Sequence, residues 1–387
     1  MKVAKLLFIN GESRYERNDE NLDYQTAQLV IGYGARTIIE DNSFFVLLKE
    51  KFPGAEIALS SSSGEIFSNE VYDDSVVVTV IGFSTSHITT SQINTEDFPN
   101  SFEAGKCLLE KLPKKDLKWV FVLSDGSLVN GSQLVQGLNA VRPENVLISG
   151  GLAGDGDRFE KTAVGLNQTP VPNQIVAVGF YGENLELSHA SYGGWESFGL
   201  ERTVTHSHNN ILYEIDHRNA LDLYKKYLGK YAEELPGSAL LFPLSIKSDD
   251  NSSPVVRTIL SINEKSNMMV FAGDLPEGSK VRFMKANMDR LIDAAHDAAS
   301  QCLQMIPNKP KLAVIISCVG RKLVLGDRTN EEAEMIKDVL GYDPIITGFY
   351  SYGEISPLKP FDDCALHNQT ITITTINEKE YNGNRIP

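Results

Sequence analysis

One order of elements recurs along this chain, and it constrains the fold more than any single motif. "KWVFVLSDGSL" (118–128) is an apolar strand ending in a polar turn, and "SQLVQGLNAV" (132–141) reads as an amphipathic helix. "ENVLISGGLAGDG" (144–156) is a second strand with a glycine-rich end, and "NQIVAVGFYG" (173–182) is a third strand. The same order returns as "KLAVIISCVGR" (311–321), "NEEAEMIKDVLG" (330–341), "DPIITGFYSYGEI" (343–355) and "HNQTITITTI" (367–376). Asn330 and Gly341 are suited to cap that second helix. Helical stretches, "SFEAGKCLLEKL" and "MDRLIDAAHDAASQCL", precede the two sets. A looser third copy runs through "QLVIGYGA", "SFFVLLKEKF", "AEIALSSSSGEIF" and "DSVVVTVIGF". The expectation is an α/β protein of repeated strand–helix–strand–strand units. The units form mixed β-sheets covered by helices, in a pseudo-symmetric two-part architecture. Residues 1–231 form one part and 232–387 the other, with "AEELPGSAL" as the joint.

The repeat decides how the glycines are read. "SGGLAGDG" is the most glycine-dense stretch and looks at first like a phosphate loop. It occupies the same place in its unit as "SSSSGEIF" and "TGFYSYGEIS". Each follows an apolar strand and precedes another strand. A dinucleotide or P-loop fingerprint opens a helix, whose N-terminus supplies the phosphate site. The glycines therefore read as turns and bulges between strands.

The 387 residues carry a net charge of −15, which argues against binding a phosphate backbone. No apolar run approaches the roughly 20 residues of a membrane span, and no signal peptide is visible. Cys107, Cys302, Cys318 and Cys364 are far apart and form no C-x-x-C pair, so a reducing, cytoplasmic location is expected.

"GGLAGDGDRF", "SYGGWESFG", "TVTHSHNNILYEIDHRNALDLYKKYLG", "SCVGRKLVLG", "TGFYSYGEISP" and "HNQTITI", in this order, resemble the FIST family. The first three resemble its N-terminal half and the rest its C-terminal half. The likeness runs from about residue 28 to about residue 376. It implies a bacterial intracellular sensory module, not an enzyme, that binds a small ligand and signals to a partner. The partner would be a sensor histidine kinase or a diguanylate cyclase or phosphodiesterase. Stand-alone members of this length resemble the haem-binding, nitric-oxide-sensing subset, which implies haem as cofactor, a role in two-component signalling and possible homodimers. Two positions depart from the family pattern. His217 stands where glycine is common after "YEID", and Gly193-Gly194-Trp195 lacks the histidine often found before the Gly-Trp pair.

Haem needs an axial ligand and an apolar slot. Among the seven histidines, His189 alternates with Leu185 and Leu187 and so faces inward, as an iron ligand or as a bonded core histidine. His206 and His208 flank Ser207 on an extended segment and could bind a metal or sit in a polar loop. His367 begins the last strand and could line a cleft beside Gly353 and Glu354. Those two repeat the pair Gly64-Glu65, either as a ligand rim or as a hairpin whose carboxylate bonds backbone N–H groups. Trp195 is a pocket wall or a core anchor. Arg321 is expected to fork onto a propionate or another carboxylate. Cys318 is a thiolate ligand or nucleophile, or else a small buried hydrophobe. Three functions follow: a haem-based nitric oxide sensor, a haem-free sensor of a small metabolite such as an amino acid, and a hydrolase using Cys318.

Overall fold

The computed structural model describes residues 1–235, 237–248, 254–359 and 362–379. Pro236 of the expected joint lies outside them. Val- and Ile-rich runs such as "SVVVTVIG" (75–82) are buried nearly end to end, as strands covered on both faces must be. Helices begin where a short polar side chain can hold a free N–H. Asp41, Asn100, Asn130 and Asn287 each accept from a backbone amide of the following turn. Asn330 does not. Helix Thr329–Leu340 starts one residue earlier, and the Asn330 side chain accepts from the Val71 N–H instead.

The repeat occurs three times, and each copy builds one mixed sheet. In the first, Glu56–Ser61 runs parallel to Leu29–Gly34, which is followed outward by antiparallel Ser75–Gly82 and Lys2–Ile9. Leu147–Leu152, Leu117–Ser124, Gln174–Tyr181 and His87–Asn94 repeat that order in the second sheet. Ile345–Ser351, Leu312–Cys318, Ile371–Glu378 and Leu185–Tyr192 repeat it in the third. The strand opening each copy (Lys2–Ile9, His87–Asn94, Leu185–Tyr192) is the part of the repeat that the sequence pattern left unassigned, and in the first sheet Glu12–Arg17 pairs beyond it.

After its second parallel strand, each copy sends a short segment into another copy's sheet. Glu65–Phe67 pairs with Ile345–Ser351, Val164–Leu166 with Glu56–Ser61, and Gly353–Pro357 with Leu147–Leu152. The exchange is cyclic, so the three sheets close around one core. Leu29, Ile31 and Tyr33 meet Trp119, Phe121 and Val178 there, together with Ile316, Phe349 and Ile376. The outer faces are covered by helices, as the packing of Leu48, Leu108 and Ala298 shows sheet by sheet. The expected α/β class, with mixed sheets covered by helices, is the architecture found.

A smaller lobe is inserted into the third copy, from Glu196–His208 to Lys280–Lys285, with a core of its own around Tyr224, Phe271 and Phe283. The expected division at 231/232 falls inside this lobe, in the turn Gly229–Glu234. The lobe docks through Arg257, which donates to the Leu366 carbonyl at 2.8 Å, and through Leu240 and Leu241 against Val324 and Leu325.

Candidate functional site

The three exchanges meet at one end of the sheets and are tied in a ring. The N–H of Ser63 donates to the Tyr350 carbonyl at 2.8 Å, that of Gly154 to Ser61 at 3.0 Å, and that of Tyr352 to Leu152 at 3.1 Å. These bonds define which residues are equivalent. Gly64, Asp155 and Gly353 correspond, as do Glu65, Gly156 and Glu354. The first parallel strands end equivalently at Ala35, Asp125 and Cys318, whose N–H groups donate to Ser75, Gln174 and Thr370. Arg36, Gly126 and Val319 follow them. The sequence alignment of the acidic turns is thus one residue out in the middle copy.

The three junctions are filled differently. Where the second copy meets the first, Asp155 is enclosed and accepts from Arg36 Nε at 3.0 Å and Arg158 Nη2 at 2.6 Å. Where the third meets the second, a Cβ on Gly126 would collide with the Ala153 carbonyl, so backbone closes the space. Where the first meets the third, Gly64 and Val319 replace the acid and the arginine. Neither fills the space they leave, and a cleft of about 390 Å³ opens there.

All three copies contribute to that cleft: Ser62, Ser63, Asp73 and Asp74 from the first, Asp157 and Arg158 from the second, and Lys322 and Leu323 from the third. Lys322 reaches across, donating to the Ser63 carbonyl at 2.8 Å and pairing with Asp73. Gly64 has φ +132°, a backbone conformation that favours glycine, and a Cβ there would stand 2.6 Å from Lys322 Nζ and push the lysine aside. Beneath the cleft the Glu65 carboxyl accepts from Ser62 Oγ at 2.5 Å and Ser75 Oγ at 2.6 Å. Burial pushes it up to about 8, against the opposing effect of those hydroxyls. The site therefore combines a neutral buried acid, two cations and three surface carboxylates.

The residues singled out from the sequence lie elsewhere. Arg321 is fully enclosed and committed: Nε and Nη2 donate to Glu332 at 2.8 and 2.6 Å, and the carbonyls of Gly193 and Leu291 accept from Nη1 and Nη2. Helical periodicity turns it inward with Val324 and Leu325, and turns its neighbour Lys322 to the cleft. Gly353 and Glu354 are buried in the equivalent turn, with Glu354 accepting from Ser351 and Thr370. Burial pushes Glu354 to about 7. Trp195 donates to the Gln369 carbonyl at 2.8 Å and packs among Leu291 and Val324. Cys318 is buried against Glu354, and burial holds its thiol well above its usual range, so it is protonated. His217 adopts φ +57°, the turn geometry that explains a histidine tolerated in place of glycine.

The histidines divide into two groups. His189 and His367 are buried near each other. His189 Nδ1 bonds Thr374 Oγ1 at 2.9 Å while its Nε2 has no partner among the described residues. Burial, then the nearby His367, hold the His189 ring down at about 3. His367 Nε2 bonds the Ser356 carbonyl at 3.0 Å, and burial holds it at about 4. His206 and His208 stand exposed on the smaller lobe, with His206 stacked on Tyr213. A haem held by histidine needs a ring nitrogen that opens on a slot. His189 and His367 point into a packed interior, His206 and His208 stand on an open surface, and the wall of the cleft holds no histidine. In this arrangement these residues do not fit haem. Among the described residues no three His, Cys, Asp or Glu side chains are placed to hold a metal ion. Lys322, Asp73, Asp74 and Arg158 were missed because charged residues beside turns look like ordinary surface. Only the unusual run "SSSSGE" hinted at this place.

No helix among the described residues is long and apolar enough to cross a membrane. An uncharacterized protein of Methanocaldococcus jannaschii is 23% identical over 321 residues, 76% of this chain. The chain spans about 60% of that relative's length. Among solved structures, cyanuric acid hydrolase from A. caulinodans aligns over 98% of both chains at 6% identity with a TM-score of 0.37. A second cyanuric acid hydrolase structure aligns over 98% of this chain and 99% of its own at 8% identity and 0.35. At those scores nothing further rests on either. The FIST N domain matches residues 28–218 and the FIST C domain residues 220–357. The chain therefore belongs to the FIST family, whose domains are sensory domains of signal transduction.

Proposed function

We propose that this protein is a haem-free sensor of a small metabolite such as an amino acid, which binds in the cleft between Ser63, Arg158 and Lys322. The observation that carries the reading is the missing ion pair. Two of three equivalent junctions lack the acid and arginine that fill the first; backbone closes one of them at Gly126, and the other leaves room lined by charges of both signs. Occupancy would be read by a partner protein, a histidine kinase or a cyclic-di-GMP enzyme. Helix Val319–Leu325 supports this, since Lys322 and Leu323 face the cleft while Val324 and Leu325 face Leu240 and Leu241 of the smaller lobe.

A thermal-shift screen of amino acids and small carboxylates tests the reading, since a ligand of the folded state raises the melting temperature with concentration. No shift across the set refutes it. The observation on the side of a haem-based nitric oxide sensor is the unpartnered Nε2 of His189. Protein expressed with haem precursor, with a strong Soret band that shifts with nitric oxide and is lost in His189→Ala, would replace our reading with that one.

A further inference from the structure

Lys322 is engaged before any ligand arrives. Its side chain is 17% exposed, and the Ser63 carbonyl fixes its ammonium from within. Its ionic partner Asp73 is 66% exposed, on the turn between Glu70–Tyr72 and Ser75–Gly82. At the sister junction the acid is built in and enclosed: Asp155 is held by Arg36 and Arg158. At the cleft the enclosed acid is absent, because Gly64 stands in its place, and a surface aspartate reaches the lysine instead. A pair of that exposure is weak, worth a factor of about two to five in an equilibrium. A carboxylate entering the cleft could therefore take the lysine from it.

The surrounding charges say what else such a ligand carries. The side chains of Asp74 and Asp157 line the same cleft without a direct hydrogen bond or ion pair among the described residues, and Asp74 acts on Arg158 only through its charge. They would repel a bare anion and attract an ammonium group.

Resting on the small-metabolite reading above, we propose that Asp73 is an internal competitor for the ligand. It holds Lys322 in the empty cleft. A small zwitterion displaces it, with its carboxylate on Lys322 and its ammonium facing Asp74 and Asp157.

The test titrates the full chain with glycine, and with its two halves acetate and methylamine, by NMR at low salt. Wild type, Asp73→Asn and Lys322→Gln are compared after melting curves show that each folds. Glycine should bind more tightly than either half. Asp73→Asn should tighten glycine and acetate about two- to five-fold, with the gain shrinking as salt screens the pair. Lys322→Gln should lose both. If Asp73→Asn leaves the affinity unchanged or weaker while Lys322→Gln abolishes binding, the competition is wrong and the cleft reading stands. If glycine perturbs neither wild type nor Asp73→Asn, the proposal falls, and the small-metabolite reading falls with it only when the thermal-shift screen is blank across the set.

Discussion

Replacing Arg321 with methionine separates two roles for this residue. The side chain makes a two-point contact with Glu332 and also satisfies the carbonyls of Gly193 and Leu291. Methionine preserves much of the volume and removes every donor. Glu332 would keep the hydroxyls of Ser317 and Tyr350 on Oε2, but Oε1 would lose both of its bonds in an enclosed site. Breaking a buried pair from one side costs about 3–5 kcal/mol, because an uncompensated charge stays behind. The expected loss in urea unfolding is therefore about 4 kcal/mol, read as a shift in midpoint at constant slope. Arg321→Met combined with Glu332→Gln removes the stranded charge and should recover more than half of that. The cleft should still bind ligand in Arg321→Met at temperatures where the variant is folded. A loss below about 1 kcal/mol with ligand binding abolished would refute the structural role and return Arg321 to the ligand.

Stability should also depend on pH through five buried groups, two carboxyls, two imidazoles and the Lys5 ammonium. Glu65 and Glu354 sit at about 8 and about 7 in the folded chain, above the ordinary carboxyl value, so stability falls as pH rises from about 4.5 until those values are passed. His189 and His367 sit at about 3 and about 4, below the ordinary imidazole value, so stability falls as pH drops below about 6.5. At roughly 1.4 kcal/mol per pH unit for each group, the two effects cancel between about pH 4.5 and 6.5, and stability declines below that window and again up to about 7; burial holds the Lys5 ammonium down at about 7, so from there to about 8 its gain with rising pH offsets the loss from Glu65. Glu65→Gln should leave the Lys5 contribution uncompensated, so that stability rises between about pH 7 and 8 where the wild type is flat, and an unchanged profile would refute the buried-acid assignment. NMR of the imidazole rings should find His189 and His367 neutral at pH 5, while a normal titration of either would show it to be solvated. Iodoacetamide should leave Cys318 unmodified in the native protein and alkylate it in denaturant; rapid native alkylation would contradict its burial.

Much of the architecture is legible in the linear chain because it rests on local physics. Apolar strands, amphipathic helices and glycine turns recur in the same order, and hydrophobic period and turn chemistry are set by neighbours in sequence. The inward face of His189 and the turn conformation of His217 follow from the same kind of reasoning. Other features belong to the tertiary structure. That the repeats exchange strands in a cycle depends on pairings such as Phe67 with Thr347, 280 residues apart along the chain. A one-residue register difference put Asp155 opposite Gly64 rather than Glu65, and no sequence alignment of short turns resolves that. Adjacent Arg321 and Lys322 look alike as letters. Helix Val319–Leu325 buries the first against Glu332 and hands the second to the cleft, because only packing decides which side of a helix faces a partner. The cleft itself exists because an ion pair present at one junction is missing at its equivalent, and an absence of that kind becomes visible only when the three junctions are laid over one another in space.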